Sequence, residues 1–248
     1  MDDLTPPSWL VRGDGVRIAY RKRDGVGPTL VFLPGYMSDM RGSKAEALDA
    51  WAAQSGQAML RLDYGGCGES EGDFDAATLT DWRDDVLLAI DRLTRGPLVL
   101  IGSSMGGWIM LLAALARPDR IAGLVGIAAA PDFTDWGFTQ DQKMTILSEG
   151  RLEQPSPYGA PIITTRALWQ SGEAQRMLQS EIAIDCPVRL LHGQLDTDVP
   201  WHHTLHLSEK LRSANVQVTL VKDGDHRLSR PADIALLIGS VERLMGDL

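Results

Sequence analysis

Six short, nearly unbroken apolar runs punctuate the chain, and amphipathic stretches fill the intervals between them. The runs are "TLVFLPG" (29–35), "AMLRLD" (58–63), "LVLIG" (98–102), "GLVGIAA" (123–129), "VRLLHG" (188–193) and "VQVTLV" (216–221). An apolar run without polar alternation suits a strand covered on both faces, as in the centre of a parallel sheet. Trp82, Val86, Ala89, Ile90 and Leu93 recur at helical spacing, as do Ile234, Leu237, Ile238, Val241 and Leu244. Residues 105–116 are apolar nearly all round and predict a buried helix. Strands alternating with helices imply an α/β fold, a mainly parallel sheet flanked by helices. "SWLVR" and "VRIAYRKRD" predict an antiparallel pair about the "GDG" turn.

At 248 residues the chain is read as one domain, 1–248. Residues 131–186 break the rhythm: they carry Pro131, Pro155, Pro157 and Pro161, and their one strand-like run is "PIITT". A small, mostly helical cap insertion over one end of the sheet, about 131–180, is expected there.

Charge and cysteine content narrow the function. A net charge of −9 argues against tracking phosphate backbones, so no nucleic-acid partner is expected. Two cysteines are too few for a disulfide framework or a CxxC metal site. "MDDLTPPSWL" has no basic, apolar or Arg-rich targeting pattern, which predicts a cytoplasmic protein. Apolar stretches such as "WIMLLAALA" fall short of the ~20 residues that cross a bilayer, so no stable membrane insertion is expected.

Open α/β sheets bind ligands beyond the C-terminal ends of their strands. After "LVLIG" come Ser103 and Ser104, after "VRLLHG" come Asp196 and Asp198, and after "VQVTLV" comes His226. Serine, acid and histidine in that chain order match the nucleophile-elbow hydrolases. The G-x-S-x-G window at 102–106, which directly follows the strand-like "LVLIG" and precedes the buried helix, selects Ser104 over Ser103 as the nucleophile. Asp196 is the expected acid and His226 the base. The N–H of Met105, opening a helix, and that of Tyr36, after Gly35, are the expected oxyanion donors.

Other chemistry fits less well. His202, His203 and His206 include an i,i+4 pair that could hold zinc, but no glutamate completes a metalloprotease pattern, and an ordinary helix face is the plainer reading. The "GGCG" loop matches neither G-x-G-x-x-G nor a P-loop. Cys67 lacks a nucleophile motif and fits a tight turn. No metal or organic cofactor is expected.

These segments resemble the α/β-hydrolase superfamily. "LDYGGCGES" is similar to its D-x-x-G-x-G-x-S loop and "HGQLDTDVP" to its H-G-x-x-D-x-x-V-P acid segment. A closer resemblance, from about Gly13 to Met245, is to the mitochondrial palmitoyl-protein thioesterase and acyl-glucuronide esterase group. It rests on "FLPGYMSDMRGSKA", "GSSMGGWIMLLAALARPDRIAGLVGIA", "CPVRLLHGQLDTDVPWH" and "GDHRL". The group's nucleophile, acid and base fall on Ser104, Asp196 and His226, and Pro34-Gly35 replaces the His-Gly that many hydrolases carry before the first oxyanion donor.

The expected activity is therefore that of a serine hydrolase acting on carboxylic esters or acyl thioesters, on small molecules or acylated proteins. Carbon–carbon bond hydrolysis with the same triad is an alternative, as is a non-catalytic ligand-binding protein on the same fold. Tyr36, Met37, Trp136 and Trp169 are the expected substrate-binding residues, with Phe133, Phe138, Met144 and Tyr158 as further candidates for an acyl groove.

Overall fold

The computed structural model describes residues 6–156, 159 and 161–248. Its strands are β1 (Ser8–Val11), β2 (Arg17–Arg23), β3 (Val26–Leu33), β4 (Gln57–Leu62), β5 (Leu98–Ser103), β6 (Ile121–Ile127), β7 (Arg151–Gln154), β8 (Ile162–Thr165), β9 (Val188–Gly193) and β10 (Val216–Val221). The helices are α1 (Ser43–Ser55), α2 (Leu79–Leu93), α3 (Met105–Ala116), α4 (Phe133–Trp136), α5 (Gln140–Glu149), α6 (Arg166–Glu173), α7 (His202–Lys210) and α8 (Pro231–Gly246).

An eight-stranded sheet runs in the order β1-β2-β4-β3-β5-β6-β9-β10. From β4 to β10 neighbouring strands are parallel, whereas β1–β2 and β2–β4 are antiparallel. The parallel strands alternate their side chains between two cores. Val31 and Leu33 of β3, with Leu98 and Leu100 of β5, join Trp82 of α2, Trp108 of α3 and Leu207 of α7. Leu30 and Phe32, with Val99 and Ile101, join Leu48 of α1 and Leu237, Val241 and Leu244 of α8. Both faces of the central strands β4, β5 and β9 are thus removed from water, which is why the sequence there is apolar without alternation.

Local signals set the ends of the elements. Thr78 accepts the Asp81 N–H and the Asp81 carboxylate accepts the Thr78 N–H, a reciprocal cap that starts α2. Removing such a cap costs about 1 kcal/mol. α1 ends where Gly56 turns left-handed, at φ 71°.

Between β6 and β9 lie α4, α5, the antiparallel hairpin β7–β8 and α6. In this mostly helical segment the hairpin's second strand falls on the strand-like "PIITT", and only the first was not expected. Its first strand, "RLEQ", is polar and four residues long, too short for alternation to mark it. Several contacts fasten this segment to the body. The Tyr36 hydroxyl donates to the Ile163 carbonyl. Within the segment, the Asp132 carboxylate accepts the Met177 and Leu178 N–H groups and ties its two ends together. Trp136 stacks on His203 of α7 with ring centroids 4.1 Å apart. Among the described residues, no helix is long and apolar enough to cross a membrane.

Candidate active site

Because β3, β5, β9 and β10 are parallel, the loops after them open on the same edge of the sheet. Ser104 sits between β5 and α3 with φ 54° and ψ −120°, a conformation that L-residues rarely adopt. Such a backbone stores on the order of 1–3 kcal/mol and persists only when its surroundings over-determine it. Here they do. A Cβ on Gly102 would lie 2.4 Å from the Gly106 carbonyl oxygen, and one on Gly106 would lie 2.2 Å from that of Leu33. The two glycines of the motif let α3 start against the ends of β3 and β5. The Ser104 N–H donates to the Ile127 carbonyl at 2.9 Å, and the Ser104 carbonyl accepts from Gly107 and Ala130.

Met105 is the first residue of α3, so its N–H has no acceptor within the helix. Gly35 lies beside the turn: a Cβ there would be 3.3 Å from Ser104 Cβ. The Tyr36 that follows it brings its backbone to the same place.

Asp196 and His226 meet across the loops after β9 and β10. His226 Nδ1 lies 2.8 Å from Asp196 Oδ2. The other carboxylate oxygen, Oδ1, accepts the N–H groups of Asp198 at 2.9 Å and Val199 at 2.8 Å. Burial alone would raise the Asp196 carboxyl, but the hydrogen bonds from His192, His226 and Val199 outweigh it and hold the group well below the usual carboxylate range. Lys44, at the start of α1, donates to the Arg227 carbonyl at 2.5 Å and so braces the histidine loop. Burial, then the Arg227 cation, pushes that ammonium down to about 8.

A cavity of about 990 Å³ opens over these groups and is bordered by Ser104, Met105, Tyr36 and His226. Its apolar wall comes from Phe133, Trp136, Phe138 and Ile162, and Met37 contributes a half-exposed side chain. Of the expected substrate-binding residues, Tyr36, Met37 and Trp136 reach the cavity. Trp169 does not line it: its indole N–H donates to the Thr134 carbonyl at 3.0 Å and braces α4. Met144 points to solvent, 62% exposed, and Tyr158 lies outside the described residues.

The α7 histidines are occupied otherwise. His203 stacks on Trp136, His202 on Trp201 at 3.6 Å, and His206 faces Glu209. Asp196, Asp198 and His226 do offer ligand atoms within 4.8 Å of one another, but both Asp196 oxygens already accept hydrogen bonds.

Comparison with known proteins agrees with the fold. Residues 28–161 match the model of the alpha/beta hydrolase fold. The chain is 39% identical to the human mitochondrial palmitoyl-protein thioesterase ABHD10, over 98% of this chain and 81% of that protein. The solved structure of mouse alpha/beta hydrolase domain-containing protein 10 superposes with a TM-score of 0.92 at 38% identity, covering 98% of this chain and 99% of that one. A putative hydrolase from Agrobacterium vitis S4 superposes at 0.90 with 36% identity, covering 97% and 100%. The chain belongs to the α/β-hydrolase family.

The α/β-hydrolase relatives also correct one expectation. Those from human, orangutan and cattle, each 39% identical, are named as mitochondrial proteins, which overturns the cytoplasmic location read from the N-terminal residues. Within this family's fold, one residue beside the site escaped the sequence reading. His192, fully buried at the end of β9, touches the same Asp196 oxygen as His226. The only signal for it was its place in the "HGQLD" segment.

Proposed function

We infer that this α/β-hydrolase cleaves carboxylic esters and acyl thioesters through a covalent acyl-enzyme, with Ser104 as nucleophile, His226 as base and Asp196 as acid. The observation that carries the reading is the 2.8 Å contact between His226 Nδ1 and Asp196 Oδ2, beside a cavity that Ser104 and His226 both border. With Nδ1 engaged, His226 Nε2 is left to take the Ser104 proton as Oγ attacks the acyl carbon. The N–H groups of Met105 and Tyr36 would hold the developing oxyanion. Collapse of the tetrahedral adduct breaks the bond to the alkoxide or thiolate, which leaves with the proton from His226. Water, giving its proton to the same nitrogen, attacks the acyl-serine and releases the carboxylic acid.

Residues 131–180 act in this reading as the cap of a single catalytic unit and supply the acyl side of the cavity. The palmitoyl-protein thioesterase name of the relatives supports an acylated substrate.

A fluorophosphonate probe tests the chemistry. Ser104→Ala should abolish labelling and lower turnover by several powers of ten, because triad members act as a unit. Ser103→Ala should leave labelling intact. Labelling that survives Ser104→Ala would overturn the assignment. A matched panel of acyl esters and acyl thioesters then reads the preference for the leaving atom.

A further inference from the structure

Two histidines converge on one carboxylate oxygen. His226 Nδ1 and His192 Nε2 lie 2.8 and 3.0 Å from Asp196 Oδ2. His192 is the next-to-last residue of β9, and its Nε2 is also 2.9 Å from the Val199 carbonyl oxygen. Both neighbours of Nε2 are pure acceptors, so that nitrogen must carry a hydrogen. On the other side of the ring, Nδ1 lies 2.6 Å from the Thr204 hydroxyl of α7. A hydroxyl can rotate to donate, so Thr204 fits the tautomer that Val199 and Asp196 require. His192 and Thr204 are both buried, at 0% and 1% exposure, so water cannot replace either partner.

We propose that His192 is a positioning residue: its Nε2–H holds the Asp196 oxygen that pairs with His226 and thereby sets the basicity of His226. The inference rests on the reading of Ser104, His226 and Asp196 as a catalytic triad. A carboxylate oxygen shared between two donors stabilises an imidazolium less than one serving a single donor. His192 thus restrains the base while fixing the direction from which Asp196 approaches it. The neighbourhood of His226 holds other charges that would be common to every variant: Asp198 from the β9 loop, Asp225 and Arg227 beside it in the chain, and Lys44 from α1. His192 itself is approached by Asp196 and, from α7, by Thr204 and His203.

The test is the pH profile of kcat/KM on a short acyl ester for the wild type, His192→Phe and His192→Gln. Phe keeps the ring volume without the donor, and Gln returns an N–H near the place of Nε2. His192→Phe should lower kcat with KM little changed, and raise the midpoint of the acid limb by roughly half a unit to one unit. His192→Gln should bring the midpoint back toward wild type. A residue that only fills space would lower the melting temperature and leave the midpoint in place, so an unmoved or lowered midpoint in a folded His192→Phe protein overturns the proposal.

Should His192→Phe fail to fold, nitrogen-15 spectra of the imidazoles in the intact wild-type protein decide instead. His192 should appear with hydrogen on Nε2, and hydrogen on Nδ1 would sink the idea. Fluorophosphonate labelling of Ser104→Ala separates the two levels. Persistent labelling there refutes the triad, whereas lost labelling with an unmoved acid limb refutes His192 alone.

Discussion

Gly193 and Gly224 pack backbone against backbone where β9 and β10 end. A Cβ on Gly193 would lie 2.3 Å from the Gly224 carbonyl oxygen, and one on Gly224 would lie 3.0 Å from Gly193 Cα. The Leu195 N–H donates to that same Gly224 carbonyl at 2.9 Å. This closeness lets the loop carrying Asp196 reach the loop carrying His226. Gly193→Ala should therefore push the two loops apart, lengthen the Asp196–His226 contact and cost about 1–3 kcal/mol in stability through overpacking. The expected outcome is a lower melting temperature together with a loss of kcat far larger than any change in KM. Wild-type kcat in a folded Gly193→Ala protein would show that the contact is unimportant.

Asp196 and Asp198 are two residues apart, yet their surroundings differ. Asp196 has its carboxylate buried and bonded to His226, whereas Asp198 is exposed at the cavity rim and donates its N–H to Asp196. Asp196→Asn should cost about 10⁴ in kcat, the scale seen when the acid of such a triad is neutralised. Asp198→Asn should cost far less, since its backbone bond to Asp196 survives. A larger loss at Asp198 than at Asp196 would reverse the assignment.

Much of the fold was legible because the central strands are covered on both faces. "VRLLHG" coincides with the fully buried β9 residue for residue, and the apolar, β-branched "VQVTLV" with the half-buried edge strand β10. The antiparallel start was equally readable, since the "GDG" turn separates two short runs that pair as β1 and β2. Strand order was not: β3 lies between β4 and β5, a consequence of how crossover helices pack rather than of any local pattern. The candidate site was readable where chemistry needs an unusual backbone. Gly102 and Gly106 announce Ser104 because no other residue fits the close approach of α3 to β3. His192 was hidden for the opposite reason, because a buried histidine in a strand looks like any core residue until its partners are seen. Trp169 misled through its size, and its N–H is spent on Thr134.

Stability should respond to pH through Asp85. Its carboxylate is buried on α2 and accepts the Gly65 N–H at 2.8 Å and an Arg12 N–H at 3.4 Å. Burial pushes the group up from its ordinary value of 3.8 to about 6, despite those partners. The folded protein then binds this proton more tightly than the unfolded chain does. The resulting stabilisation is full below about 3.8 and is lost as pH rises through about 6. Asp85→Asn removes that titration, so the difference in urea midpoint between variant and wild type should change steadily between pH 4 and 7, in favour of the variant at the higher pH. A constant difference across that range would remove Asp85 from the pH response.

Acyl-chain preference tests the cavity itself. A volume of about 990 Å³ lies at the upper end of the range for small-molecule sites, and Phe133, Trp136, Phe138 and Ile162 give it an apolar wall. Each methylene buried there contributes roughly 0.8 kcal/mol, about fourfold in kcat/KM where the contact is made in the transition state. The expected profile is a rise in kcat/KM from acetyl through medium chains, for oxygen esters and thioesters alike. Trp136→Ala should flatten that rise by removing wall, with acetyl turnover much less affected. Trp169→Ala should leave the slope unchanged, because its ring braces α4 and does not line the cavity. The opposing possibility is that the aromatics serve one another: Phe133 already packs on Trp108 at 5.5 Å and on Phe138 at 6.5 Å. In that case activity would peak at acetyl or propionyl and decline steadily with length, and long-chain deacylation would drop out as the protein's task.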